Sequence, residues 1–197
     1  MFKKIALLTL CSISLFAMHS IELNINDKDL EIGAKVDVHQ FSESTKEDSV
    51  HIGFKLLHAD KSHSDIVSTS DIHDYYEVNF LMKREIESTN LTIGLGVKVN
   101  GTKSYMSVPI GVEVGYKLPF GSSMPMHIGG AIYYAPEVLS MQDAKNFLEY
   151  RVDFEMEVIK NASVVIGARS MDTNYESDKG GDLRYNRSAY LGFKFSF

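Results

Sequence analysis

The chain has 197 residues, with 14 Gly, only 4 Pro, no Trp and 21 Phe plus Tyr, which suits one domain of ordinary size. Lys3 and Lys4 are the only Lys, Arg, Asp or Glu among residues 1–20. The remainder therefore carries 18 basic and 26 acidic residues, a net charge of −8 that excludes a nucleic-acid partner needing a basic surface.

The chain opens with Met1-Phe2-Lys3-Lys4 and a 13-residue apolar run from Ile5 to Ala17. A short basic segment before such a run reads as a cleaved secretory signal peptide, too short to span a bilayer as a helix. Residues 1–20 are assigned to it and 21–197 to the domain, with the cut between Ala17 and Ser20. Cys11, the one cysteine, follows the large residue Leu10 and is read as part of the signal, so no disulfide is expected. Beyond the signal no apolar run approaches the ~20 residues of a spanning helix.

From about residue 29 onward the pattern has period 2. Ile21–Asn26 is a short candidate first strand. Ile32, Ala34, Val36 and Val38 then make one apolar face, Val50, Ile52, Phe54 and Leu56 a second, and Tyr76, Val78, Phe80, Met82 and Ile86 a third. The stretch 60–72 between them, rich in Asp, Ser and His, reads as a long link. Leu91, Ile93, Leu95, Val97 and Val99 follow the tight turn 88–90. Asn100-Gly101 is a hairpin signal. From Met106 to Phe120 every second residue is apolar, although Pro109 removes a ladder donor and invites a bulge. After the compact turn 119–125 come Ile128, Ile132 and Tyr134. Leu148, Tyr150, Val152, Phe154, Met156 and Val158 follow the long link 136–146. Val164, Ile166 and Ala168 come after a turn at Asn161, and Leu191, Phe193, Phe195 and Phe197 after the link 172–184. The expectation is an all-β, transmembrane antiparallel up-and-down β-barrel of ten strands, or of eight starting at Val50, with all three long loops on one rim.

Alternation also fits a soluble periplasmic ligand-binding barrel with the apolar stripe turned inward. Three features favour the membrane: apolar faces long enough for a ~25 Å hydrocarbon band, polar faces that mix Gly with charge, and an ending on an uncapped aromatic. Leu191, Phe193, Phe195 and Phe197 are then the lipid-facing assembly signal.

YYAPEVLS (Tyr133–Ser140), GARSMD (Gly167–Asp172) and the ending YLGFKFSF resemble the YfaZ family of outer-membrane proteins. The resemblance runs from about residue 30 and is sharpest from Ile128. Ala168 departs from it, since members typically carry Tyr there. It implies a small barrel of the bacterial outer membrane, porin-like, without established chemistry, its last strand read by the barrel-assembly machinery.

The strand 148–158 puts Glu149, Arg151, Asp153, Glu155 and Glu157 on one polar face. Lys35, Lys55, Lys83, Lys98, Lys117, Arg169 and Lys194 occupy polar faces elsewhere. The lumen-lining candidates are Glu149, Arg151, Asp153, Glu155, Glu157, Lys98, Lys117, Arg169 and Lys194. They form either a salt-bridge network filling a closed interior or a narrow acid-lined path for small polar or cationic solutes. His58, Asp60, His63, Asp65, Asp71, His73 and Asp74 crowd one loop, but no spacing matches a metal motif, so neither metal nor cofactor is expected. With no G-x-S-x-G, and Ser62-His63-Ser64 in a loop, a lipid-modifying enzyme is the minor alternative and no catalytic residue is assigned. Outer-membrane lipid and the barrel-assembly machinery are the expected partners of a monomer.

Overall fold

A computed structural model describes residues 20–42, 44–59, 74–103, 105–119, 124–142, 144–175 and 182–197. Residues 1–19, including the apolar signal run and Cys11, lie outside the described residues, as does the stretch 60–73 with Asp60, His63, Asp65, Asp71 and His73. The described residues form twelve strands: β1 (Ser20–Ile25), β2 (Asp29–Asp37), β3 (Val50–Ala59), β4 (Tyr75–Ile86), β5 (Leu91–Gly101), β6 (Tyr105–Ser107), β7 (Ile110–Lys117), β8 (Met126–Ala135), β9 (Ser140–Gln142), β10 (Ala144–Ile159), β11 (Ala162–Tyr175) and β12 (Asp182–Ser196). All except β6 and β9 join in one antiparallel cylinder, each pairing its neighbours in the chain, with β12 closing on β1. That is the ten-strand count; the short segment at Ile21 is the tenth wall, paired Ile21↔Phe195, Leu23↔Phe193 and Ile25↔Leu191.

The alternation decides which way each strand faces. Ile52, Phe54, Val78, Phe80, Leu95, Val97, Val112, Val114, Ile132, Val152 and Ile166 are all exposed on the outer surface. Their polar alternates, from Glu31 and Glu77 to Lys98 and Glu149, are buried inside. The apolar band is fringed by aromatics, Tyr76, Tyr134 and Tyr150 toward one rim and Tyr116, Phe195 and Phe197 toward the other. An apolar belt on a closed sheet with no free edge is the arrangement hydrocarbon demands, because no water is there to satisfy backbone groups.

Ser20 pairs with Ser196 at one end of the cylinder, the terminal rim. Two of its links are tight turns, 87–90 and 160–161, with Ser88, Asn90 and Asn161 at positive φ, a conformation Asn tolerates well. The rim arrangement differs from the sequence expectation in two ways. The link 38–49, with its 3-10 turn Val38–Phe41, is long and lies on the terminal rim. On the far rim, much of 136–146 and 172–184 is not loop, because β9, β10, β11 and β12 run into both stretches.

Pro109 breaks the long alternating stretch into β6 and β7. Having no N–H, it cannot continue the ladder, but its carbonyl accepts from Lys98 N at 2.9 Å, and Val108 N–H turns to Leu139 O at 2.8 Å. The chain beyond is thereby redirected, and β6 pairs with β9 above the far rim.

Candidate functional site: a filled upper lumen and a lower chamber

Toward the far rim the interior is apolar. Leu57, Tyr75, Tyr105, Phe147, Met171 and Tyr185 are buried together. Tyr105, carried inward by β6, stacks on Phe147 with centroids 5.9 Å apart, and Tyr75 lies 6.0 Å from Tyr185. This cap has a sequence signature. Each of Leu56-Leu57, Tyr75-Tyr76 and Phe147-Leu148 is a doublet of apolar residues, and a strand must turn one member of each inward.

Below the cap, charged side chains cross the lumen in one connected lattice. Glu31 of β2 accepts Arg169 Nη1 at 2.6 Å and Arg151 Nη1 at 2.9 Å, with Lys55 Nζ at 4.0 Å. Lys55 stands 3.6 Å from both Glu77 and Glu149. Lys98 Nζ bridges the same two carboxylates at 3.3 and 2.8 Å. Arg151 continues to Glu22 at 2.8 Å, and Arg169 to Asp29 at 3.5 Å. Neutral donors complete the shell: Asn24 Nδ2 to Glu31 at 2.8 Å, Asn79 Nδ2 to Glu77 at 2.8 Å, and Tyr75 OH to Glu77 at 2.8 Å. Charges this far from water survive only because each is paired and hydrogen-bonded.

Two tyrosines brace the lattice, and glycines make room for them. The Tyr133 ring lies over Gly96 and Gly111, where an added Cβ would come within 2.3 Å of its hydroxyl and 2.5 Å of its Cδ1. It carries Lys98 Nζ 3.8 Å from its centroid and donates to Glu113 at 2.7 Å. The Tyr190 ring lies over Gly167, its hydroxyl accepts from Arg151 Nε–H at 2.6 Å, and the guanidiniums of Arg151 and Arg169 lie 4.8 and 5.4 Å from its centroid.

Between the lattice and the terminal rim lies a chamber of about 530 Å³. Its inner end is formed by Glu31, Lys55, Glu77, Lys98, Glu149 and Arg151, and its mouth by Ser20, Asp48, His127, Asn161 and Ser196. At the mouth Asp48 holds Lys83 Nζ at 2.9 Å and His51 Nε2 at 3.1 Å.

Of the residues named from sequence, Glu149, Arg151, Lys98 and Arg169 meet in the lattice. Asp153, Glu155 and Glu157 line the chamber, Glu155 paired to Lys194 at 2.8 Å and Glu157 accepting from Asn161 N–H at 3.1 Å. Lys117 keeps the inward parity of β7. It ends β7 at the terminal rim, exposed, opposite His127 of the chamber mouth. Leu191, Phe193, Phe195 and Phe197 are exposed on the outer face along the β1–β12 seam. The sequence reading did not single out Glu22, Glu31 or Glu77, and it named Tyr133 only within the YfaZ-like segment. His58 and Asp74, from the histidine-rich segment, face each other at 2.6 Å on the far rim. Among the described residues no three His, Cys, Asp or Glu side chains gather as a metal site.

A family model described as "YfaZ precursor" matches residues 3–197. The chain belongs to the YfaZ family. A search of curated proteins returns no match. A solved structure described as "KdgM porin" aligns over 92% of this chain and 99% of its own, with a TM-score of 0.47 and 10% identity. The three segments that resemble the YfaZ family converge in the lumen: Tyr133 over Lys98, and Gly167 and Arg169 against Tyr190. The belt, the closed cylinder and the family together make this YfaZ protein an outer-membrane β-barrel.

Proposed function

We propose that the protein is a small porin-like barrel that rests closed, with a narrow charged lumen able to admit small polar or cationic solutes only when its outer half gives way. One observation carries this reading. Lattice and cap together fill the lumen from Glu31 to Tyr105 with side chains drawn from opposite walls. A ten-stranded barrel is narrow enough for side chains to do this. The start of β1, the end of β12 and the tight turns share one rim, which supports placing that rim in the periplasm and the cap outside. Contact with outer-membrane lipid, recognition of Leu191, Phe193, Phe195 and Phe197 by the barrel-assembly machinery, a monomeric state and the absence of a catalytic role belong to the same reading.

Planar-bilayer recording tests it. The wild-type barrel is expected to show no steady open level. Tyr105→Ala with Phe147→Ala, which empties the cap, is expected to give brief cation-preferring openings. A wild type that holds a stable open conductance refutes the closed barrel, and a silent cap variant leaves only a structural role.

A further inference from the structure

We infer that the chamber below the lattice is a dead-end binding site for a small organic ammonium cation, entered from the periplasmic rim. The inference rests on the closed-barrel reading above, because a site shut at its inner end holds a guest where an open pore would pass it. Its volume of about 530 Å³ lies in the range of small-molecule sites, ~300–1,000 Å³.

The charge of the wall selects the guest. Nine carboxylates line the chamber against six Lys and Arg. Six of those carboxylates are taken: those of the lattice, Asp48 with Lys83, and Glu155 with Lys194. Glu113, Asp153 and Glu157 have no cation at ion-pair distance among the described residues; Glu113 has only the Tyr133 hydroxyl and Glu157 only a backbone N–H. Lys35 is the one lining cation without an ion pair among the described residues. Three carboxylates against one ammonium leave the wall short of positive charge.

A second observation does not rest on the three unpaired acids. His51, 4% exposed, lines the chamber, and its Nδ1 has no hydrogen-bond partner. Nε2 faces Asp48 at 3.1 Å, and a buried polar atom such as Nδ1 is rarely left without a partner. Asp153 stands on β10 and His51 on β3, five strands apart around a ring of ten, hence on opposite walls. An amine with nitrogen at both ends supplies what both walls lack, positive charge for Asp153 and Glu113 and an N–H for His51. Divalent metal fits less well, since no three ligating side chains gather among the described residues.

The test is isothermal titration of the protein, purified from membranes in detergent, with 1,4-diaminobutane. One equivalent is expected to bind, and butanedioate is not. Asp153→Asn with Glu113→Gln should weaken binding at least tenfold. Lys35→Met should tighten it several-fold, which a merely damaged barrel cannot do. No binding, equal binding of butanedioate, an unchanged affinity in the double variant, or full displacement by equimolar magnesium chloride would each overturn the inference. Absent binding in a barrel that is electrically silent refutes this site and leaves the closed-barrel reading standing.

Discussion

Replacing Glu31 with Gln should destabilise the barrel more than any other single change that preserves side-chain shape. Its carboxylate is 2% exposed and receives Arg169 at 2.6 Å, Arg151 at 2.9 Å and Asn24 at 2.8 Å. Gln keeps one acceptor but turns an amide N–H₂ toward a guanidinium, leaving buried positive charge under-compensated. Breaking a buried pair from one side costs ~3–5 kcal/mol. Arg151 retains Glu22 and Tyr190, and Arg169 retains Asn186 at 3.0 Å, so the low end, about 3 kcal/mol, is expected. Arg169→Gln should cost about the same, since it strands Glu31 instead. The double variant removes both halves together and should cost about 4 kcal/mol, a coupling of ~2 kcal/mol. The chain has no Trp, so urea unfolding in lipid vesicles is best followed by far-UV circular dichroism. Costs that add to within ~0.5 kcal/mol would refute a coupled lattice.

Leu95→Arg, mid-belt and 58% exposed, should cost ~2–4 kcal/mol and slow insertion into vesicles; a neutral effect would mean that this face does not meet lipid. Gly167→Ala places a methyl 2.3 Å from the Tyr190 hydroxyl, displacing the ring from Arg151 at a cost of ~1–3 kcal/mol, read as a lower unfolding midpoint. Burial opposes the charge on Asp48, but its hydrogen bond with His51 and the Lys83 ammonium outweigh it and hold the carboxyl at about 2. Because an unfolded Asp titrates near ~3.9, this stabilisation is present above about pH 4 and is lost as pH falls through about 2. Half exposed, the group is worth about 1 kcal/mol, and Asp48→Asn should remove that part of the acid dependence of the unfolding midpoint.

The wall of the barrel was legible because lipid on one side and charge on the other impose a local, two-residue rule that every strand repeats. Even the short β1 could be read, since Ile21, Leu23 and Ile25 keep that rule. The pairings inside could not be, because they join Lys98 to Glu149, Arg151 to Glu22 and Arg169 to Glu31 across 51, 129 and 138 residues. Alternation says that these side chains point inward and nothing about which of them meet. Lys117 keeps the inward parity but stands at the rim, because its strand ends where the pattern does not. Leu118 N–H already pairs with Met126 O at the turn. The cap escaped notice because its inward residues sit beside apolar outward ones, which hides the alternation.

The seam between first and last strands is short. β1 matches only six residues of the fifteen in β12, whereas β11 matches thirteen of them. The cylinder is thus a hoop with one weak stave, and a sideways pull would part it there first. Above the end of β1, side chains replace the missing rungs. Asp29, at the start of β2, receives Asn186 Nδ2 of β12 at 2.8 Å and faces Arg169 of β11 at 3.5 Å, a rivet set where the zipper stops.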